Sequence, residues 1–286
     1  MDYSKWSKTH LLKKTIKDGA YSTSVHYTKG IDDTKPLIVL VHGIGGDFTG
    51  LVPLAVELSP HFRLAIVEIP GHGLTDIIPL SDITDLQEWF ERTLKHIEVE
   101  MGQTAVVCAH SFGCSAVVSE MVLKTRKVIL LNPVPLPSEA YRAYAKMIVS
   151  EKRVWAHIYN WRPLVILRGV TLCKIRTRDA YRRVRWVGRH ISSYKQVVYQ
   201  SELTELLLDK SGYSHALNNR VSLVVCALSD TIPAQRDSLD MEDVFGSTQV
   251  LYLKGGHLMP IESPQRVARL IIRTVLSVSA LSKIPN

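Results

Sequence analysis

The chain has 286 residues, 46% of them hydrophobic and 22% charged, with a formal net charge of +8. That length can bury one large core, or a core with a smaller subdomain. Met1-Asp2-Tyr3-Ser4-Lys5-Trp6 has no apolar leader region, and no apolar run approaches the roughly 18 residues a membrane span requires, so a soluble, cytoplasmic protein without a transmembrane segment is expected. The four cysteines, Cys108, Cys114, Cys173 and Cys226, form no CxxC pair and no metal-type spacing, so they read as reduced, mostly buried thiols. Residues 137–220 hold 16 Lys and Arg against 6 Asp and Glu, a net of +10 that leaves −2 for the rest. They also hold 10 of the 21 aromatic residues, all Tyr or Trp, and this composition shift marks a distinct subdomain.

In chain order, residues 10–18 and 20–28 alternate around Asp18-Gly19, which predicts a hairpin. Residues 36–41 are a continuous apolar run, the pattern of a strand buried on both faces, and end in His42-Gly43-Ile44-Gly45-Gly46-Asp47. A helix is expected over about 50–59, and a strand over 62–69 stops at Pro70-Gly71-His72-Gly73. Residues 85–101 carry Leu86, Phe90, Leu94, Ile97 and Met101 at helical spacing. A strand over 104–110 precedes a helix over 114–124, and another buried strand spans 127–131. Residues 137–220 contain several helical patterns and no buried-strand run. Strands resume at 221–228 and 248–253, and Ser263-Pro264 opens a last amphipathic helix to about Leu281. Strands alternating with helices predict a mostly parallel sheet covered on both faces.

The stretch Ala109-His110-Ser111-Phe112-Gly113 lies at a strand-to-helix junction. A sharp turn there would expose a strained serine hydroxyl above the sheet, and small residues are needed two before and two after it. Gly113 meets that demand, and Ala109 adds one methyl where the pattern has glycine. Ligands of such sheets bind at the carboxyl ends of the strands. Four polar features stand there: His42-Gly43-Ile44, Ser111, Asp230 and His257. Each alone is an ordinary turn, cap or loop residue.

In the order Ser, Asp, His these residues resemble the α/β-hydrolase arrangement, as do Val41-His42-Gly43, Pro70-Gly71-His72-Gly73-Leu74-Thr75-Asp76 and Gly256-His257-Leu258-Met259-Pro260. The resemblance covers roughly residues 10–136 and 221–281. It implies a doubly wound, mostly parallel eight-stranded sheet, with a hydrolase core over 1–136 and 221–286 and an inserted helical cap over 137–220. Ser111 would be the nucleophile, His257 its base and then the acid for the leaving group, and Asp230 the group that fixes the histidine tautomer. By the same resemblance, the Ile44 and Phe112 amides would form the oxyanion hole. Serine rather than aspartate at position 111 argues against the family's epoxide hydrolases and haloalkane dehalogenases.

Other motifs fail. Phe48 stands where a dinucleotide fingerprint needs its third glycine, and there is neither a P-loop lysine nor an HExxH, so no cofactor and no metal is expected. His72 and His110 flank the presumed site and read as loop and packing residues. In the basic segment, residues 178–198 are the clearest helix. Ala180, Val184, Val187, Ile191, Tyr194 and Val198 share one stripe, and Arg178, Arg182, Arg185 and Arg189 lie on the opposite side, largely unpaired. That row is either a solvated face or a docking surface for an acidic carrier protein or an anionic surface; nucleic acid is unlikely. Trp155, Tyr159, Trp161, Tyr181, Trp186 and Tyr199 could line an acyl pocket. The leading reading is a serine hydrolase of carboxylic esters or thioesters. A C–C bond hydrolase, an acyltransferase, and a hydrolase-fold binding protein with little turnover share the constellation.

Overall fold

In the computed structural model the described residues are 1–30, 33–135, 138–139, 143, 161–174, 177–191, 203, 220–233, 241–246 and 248–281. The strands are β1 (Leu11–Asp18), β2 (Tyr21–Thr28), β3 (Leu37–Val41), β4 (Arg63–Val67), β5 (Ala105–His110), β6 (Val128–Leu131), β7 (Leu223–Ala227) and β8 (Val250–Leu253). They form one eight-stranded sheet in the order β1-β2-β4-β3-β5-β6-β7-β8. β1 and β2 form the antiparallel hairpin, turned by Gly19 at φ 60°, and β2 meets β4 antiparallel. Every pairing from β4 across to β8 is parallel. The β3–β4 connection runs to one side of β3 and the β4–β5 connection returns to the other. The strand order therefore reverses between β3 and β5, and sheets of this kind bind ligands at the carboxyl ends of the strands at such a reversal.

β3 is buried along its whole length. Leu37, Val39 and Val41 face one core layer, against Leu86, Trp89, Phe90, Leu94 and Ile97 of α3 (Ile83–Met101). Ile38 and Leu40 face the other, against α2 (Val52–Leu58) and α10 (Pro264–Leu281). Period-two alternation inside an all-apolar strand thus feeds two layers. α3 starts on Asp82, whose carboxylate accepts the Thr84 and Asp85 amides, and stops on Gly102 at φ 63°. All four cysteines are buried, and none is joined in a disulfide.

Three expectations need correction. A short N-terminal helix, α1 (Tyr3–His10), had no counterpart in the sequence reading. The helix after the elbow is two helices, α4 (Gly113–Val117) and α5 (Glu120–Thr125), because the Ser119 hydroxyl accepts the Val122 amide and begins a new helix. In the insertion, α6 (Arg162–Cys173) is followed by α7 (Arg178–His190); the helix expected over 178–198 ends at His190, with Ile191 as its cap at φ −57° and ψ 132°, and 192–198 lie outside the described residues. α8 (Met241–Phe245) and α9 (Met259–Glu262) are short.

α6 and α7 cross closely. A methyl on Gly169 would lie 2.7 Å from Val184, and one on Gly188 2.8 Å from Ile166. The predicted stripe of α7 is buried at Ala180, Val184, Val187 and Ile191, and Val184 and Val187 pack with Cys173 and Ile261. Arg178, Arg182, Arg185 and Arg189 are exposed, but Arg182 pairs with Asp179 at 3.3 Å. Trp186 packs on the N-terminal helix: its Nε1 donates to Ser4 Oγ at 2.9 Å and its ring packs on Tyr3 and His190. Trp161 and Tyr181 are 61% and 44% exposed. Trp155, Tyr159 and Tyr199 lie outside the described residues. No helix among the described residues is long and apolar enough to cross a membrane.

Candidate active site

The end of β5 sets the centre. Ser111 leaves the strand at φ 54°, a left-handed backbone that is costly for a residue with a Cβ, and its amide still donates to Leu131 O at 2.9 Å. The turn is possible because Gly113 has no side chain. A methyl there would lie 2.4 Å from the His42 carbonyl oxygen. Ala109, by contrast, fits in the core beside β3, where it pairs with Val41.

Ser111 Oγ and His257 Nε2 are 2.7 Å apart, and His257 Nδ1 and Asp230 Oδ2 are 2.7 Å apart. The carboxylate is an acceptor, so Nδ1 carries the proton and Nε2 is left to accept the serine hydroxyl. Asp230 stands three residues beyond β7, and its other oxygen accepts the Ile232 amide at 2.9 Å. All three side chains are buried: Ser111 is 5% exposed as a residue, and the His257 and Asp230 side chains are each 6% exposed. The sheet thus brings together three of the residues singled out in the sequence.

The strand-end loop of β3 lies against them. A methyl on Gly43 would lie 2.8 Å from Ser111 Cβ and 3.2 Å from its Oγ, so only glycine permits this approach. The Gly43 carbonyl accepts two hydrogen bonds, from His42 Nδ1 at 2.8 Å and from the Gly46 amide at 3.1 Å. Across a trans peptide the Ile44 N–H points the opposite way. Among the described residues, neither the Ile44 amide nor the Phe112 amide donates a hydrogen bond.

The flanking histidines are buried and bonded to backbone. His42 Nε2 accepts the Ile69 amide at 3.2 Å; His72 Nδ1 donates to Pro70 O at 2.9 Å and its Nε2 accepts the Gly45 amide at 3.0 Å. His110 Nε2 donates to His257 O at 2.8 Å. Burial, and then the neighbouring histidine, pushes His72 and His110 each down to about 3, and burial lowers His42 as well. All three are therefore neutral at pH 7. Glu68, 1% exposed, accepts the Leu74 amide at 3.0 Å; burial works against its charge, but His26 at 3.5 Å and that amide hold its carboxyl below the usual range.

Two supporting groups escaped the sequence reading. Asn132, at φ 47°, donates from Nδ2 to His257 O at 2.7 Å and Gly256 O at 3.2 Å, and its Oδ1 accepts the Ala227 amide at 2.7 Å. Arg183, on α7, donates to Ile261 O at 2.6 Å and Glu262 O at 2.7 Å, satisfying carbonyls at the end of α9. Among the described residues no cluster of His, Cys, Asp and Glu could hold a metal ion.

Residues 38–270 match the alpha/beta hydrolase family, and the chain belongs to it. Hydrolase is the broad functional class that this membership supports. No curated protein matches the chain. Solved structures share the fold at low identity. The enol-lactonase from Burkholderia xenovorans is 17% identical over 92% of this chain and 100% of its own, with a TM-score of 0.69. The thioesterase domain from the curacin biosynthetic pathway is 14% identical over 92% and 99%, at 0.66. The 2-hydroxy-6-oxo-6-phenylhexa-2,4-dienoate hydrolase from a Rhodococcus species is 16% identical over 93% and 99%, at 0.68.

Proposed function

We propose that this chain is a serine hydrolase that cleaves a carboxylic ester or thioester through an acyl-enzyme on Ser111. The observation that carries the reading is the continuous hydrogen-bonded path from Ser111 Oγ through His257 to Asp230, on a serine held at positive φ. A serine hydroxyl is a weak nucleophile at neutral pH. His257 Nε2 takes its proton as Oγ attacks the acyl carbon. The imidazolium that forms faces Asp230, which stabilises it without taking the proton. The C–O or C–S bond of the tetrahedral adduct then breaks, and His257 returns the proton to the leaving group. Water gives one proton to His257 as its oxygen attacks the acyl carbon, the C–Oγ bond breaks, and His257 returns the proton to Ser111 Oγ, which releases the acid and restores the serine.

The negative oxygen of each tetrahedral adduct needs donors already in place. The Ile44 and Phe112 amides are assigned that task, because neither donates a hydrogen bond among the described residues and both flank the serine. One such donor is worth about 2.7–4 kcal/mol in the transition state. Residues 137–220 are read as the cap over the substrate, and the exposed arginines of α7 as the face toward an acidic acyl carrier. The test is a fluorophosphonate probe followed by a panel of p-nitrophenyl esters of graded chain length. Labelling at Ser111 that vanishes in Ser111→Ala is the expected result. Folded wild-type protein that resists the probe would replace this reading with a ligand-binding protein of hydrolase fold.

A further inference from the structure

The backbone on both sides of His257 is pinned. The Gly256 amide donates to Glu262 Oε2 at 2.7 Å. The Gly256 carbonyl accepts Asn132 Nδ2 at 3.2 Å, and the His257 carbonyl accepts Asn132 Nδ2 at 2.7 Å and His110 Nε2 at 2.8 Å. The remaining group is the His257 amide. It donates to Leu172 O at 2.7 Å, and Leu172 is in the last turn of α6, inside the insertion. The last carbonyls of a helix have no partner within it, so this one is free to accept. Gly256 makes room for the contact: a methyl there would lie 2.0 Å from Leu172 O and 2.8 Å from the Cys173 carbonyl carbon. Its φ lies outside the left-handed region, so glycine serves here for space alone.

We infer that the C-terminal turn of α6 is a positioning element for His257, so that the insertion sets the reach of the base toward Ser111. This rests on the role proposed above for Ser111 and His257. The core supplies three of the holding groups, and the insertion supplies the fourth. Two further contacts keep α6 there: Cys173 is fully buried and packs with Val184, Val187 and Ile261, and Arg183 fastens α7 to the α9 carbonyls. A shift of α6 therefore moves the His257 peptide directly rather than through a chain of side chains. Lys174 closes the turn at φ 46° and ψ 45°, its amide donating to Thr171 O at 3.4 Å.

The experiment uses the full chain and reads both kcat and KM for a soluble p-nitrophenyl ester, together with the rate of fluorophosphonate labelling. Gly256→Ala forces Leu172 O and residue 256 apart by about 1 Å or more, and a misplacement of that size costs on the order of a hundredfold in rate. The expected result is a kcat lowered roughly a hundredfold with KM changed less than about twofold, measured well below Tm on folded protein. Lys174→Val, which puts a β-branched residue at a left-handed position, loosens the same turn from a site that does not touch His257; a loss of about threefold to tenfold in kcat is expected. Lys174→Gly, which suits that conformation, should recover the rate lost in Lys174→Val. Variants that lose Tm but keep wild-type kcat and labelling rates would overturn the inference and leave α6 as packing only. Wild-type protein that does not label at all refutes the serine-hydrolase reading instead, so the two failures are distinct.

Discussion

Replacing Asn132 tests how the site is tied to the sheet. At φ 47° the chain leaves β6, and the Asn132 side chain takes over as the acceptor for the Ala227 amide of β7. Its own amide completes the previous rung to Val225 O at 2.8 Å. In Asn132→Ala the buried Ala227 N–H loses its acceptor, which costs about 1–3 kcal/mol. Alanine at left-handed φ adds about 1 kcal/mol. The two carbonyls at residues 256 and 257 lose a donor, but His110 still serves the second. The expected loss is about 2–4 kcal/mol in urea unfolding, with an unchanged m-value. Asn132→Gly removes the backbone strain but not the lost hydrogen bonds, so it should be about 1 kcal/mol more stable than Asn132→Ala. Both should lower kcat, because the His257 carbonyl is held by one donor in place of two. An Asn132→Ala protein within about 0.5 kcal/mol of wild type, with wild-type kcat, would falsify this account of the residue.

Asp230→Asn should preserve the fold and lower kcat by about ten-thousandfold, since a neutral amide lets His257 take the wrong tautomer; near-normal turnover would assign another acid to His257. Acid should destabilise the chain earlier than carboxylate titration alone predicts. His72 and His110 sit near 3 in the folded chain and near 6.5 unfolded, so the unfolded state binds more protons throughout that window. Stability is then full above about pH 6.5 and falls as pH drops toward 3, by up to about 1.4 kcal/mol per pH unit for each histidine. Urea midpoints at pH 7, 6 and 5 measure the slope, and His72→Gln should make it shallower. Reversing Arg182 and Arg189 to Glu should slow turnover of a carrier-tethered substrate at low salt and spare a small ester; equal effects on both would point to a displaced α7.

The parallel core was legible because each of its strands is an apolar run ending in Gly, Pro or a polar residue. Ser111, Asp230 and His257 were legible because each follows such a run. The break between α4 and α5 was present as Ser119-Glu120, a cap signal inside an apolar stretch that the helical pattern overrode. Arg183 also left a trace: it lies near the apolar stripe of α7 and off the row formed by Arg178, Arg182, Arg185 and Arg189, so its charge had to meet a partner inside. Asn132 and Leu172 left none. One acts through a left-handed backbone and partners at 227, 256 and 257; the other acts through a carbonyl that every residue possesses. Side-chain identity carries no information about a backbone group, and only the folded path of the chain decides which amide it meets.

Ser4 is in hydrogen-bond reach of both Trp186 and His190, which stand 182 and 186 residues further along the chain. Ser111 and His257 are 146 residues apart. Contacts of such sequence separation close only after the loop entropy between them has been overcome, late in folding, whereas α3 and the β1–β2 hairpin can form locally. On the role proposed for Ser111, hydrolysis of a p-nitrophenyl ester is therefore a stricter monitor of refolding than helix content: far-ultraviolet signal should return first, and turnover only when Ser111 and His257 have met.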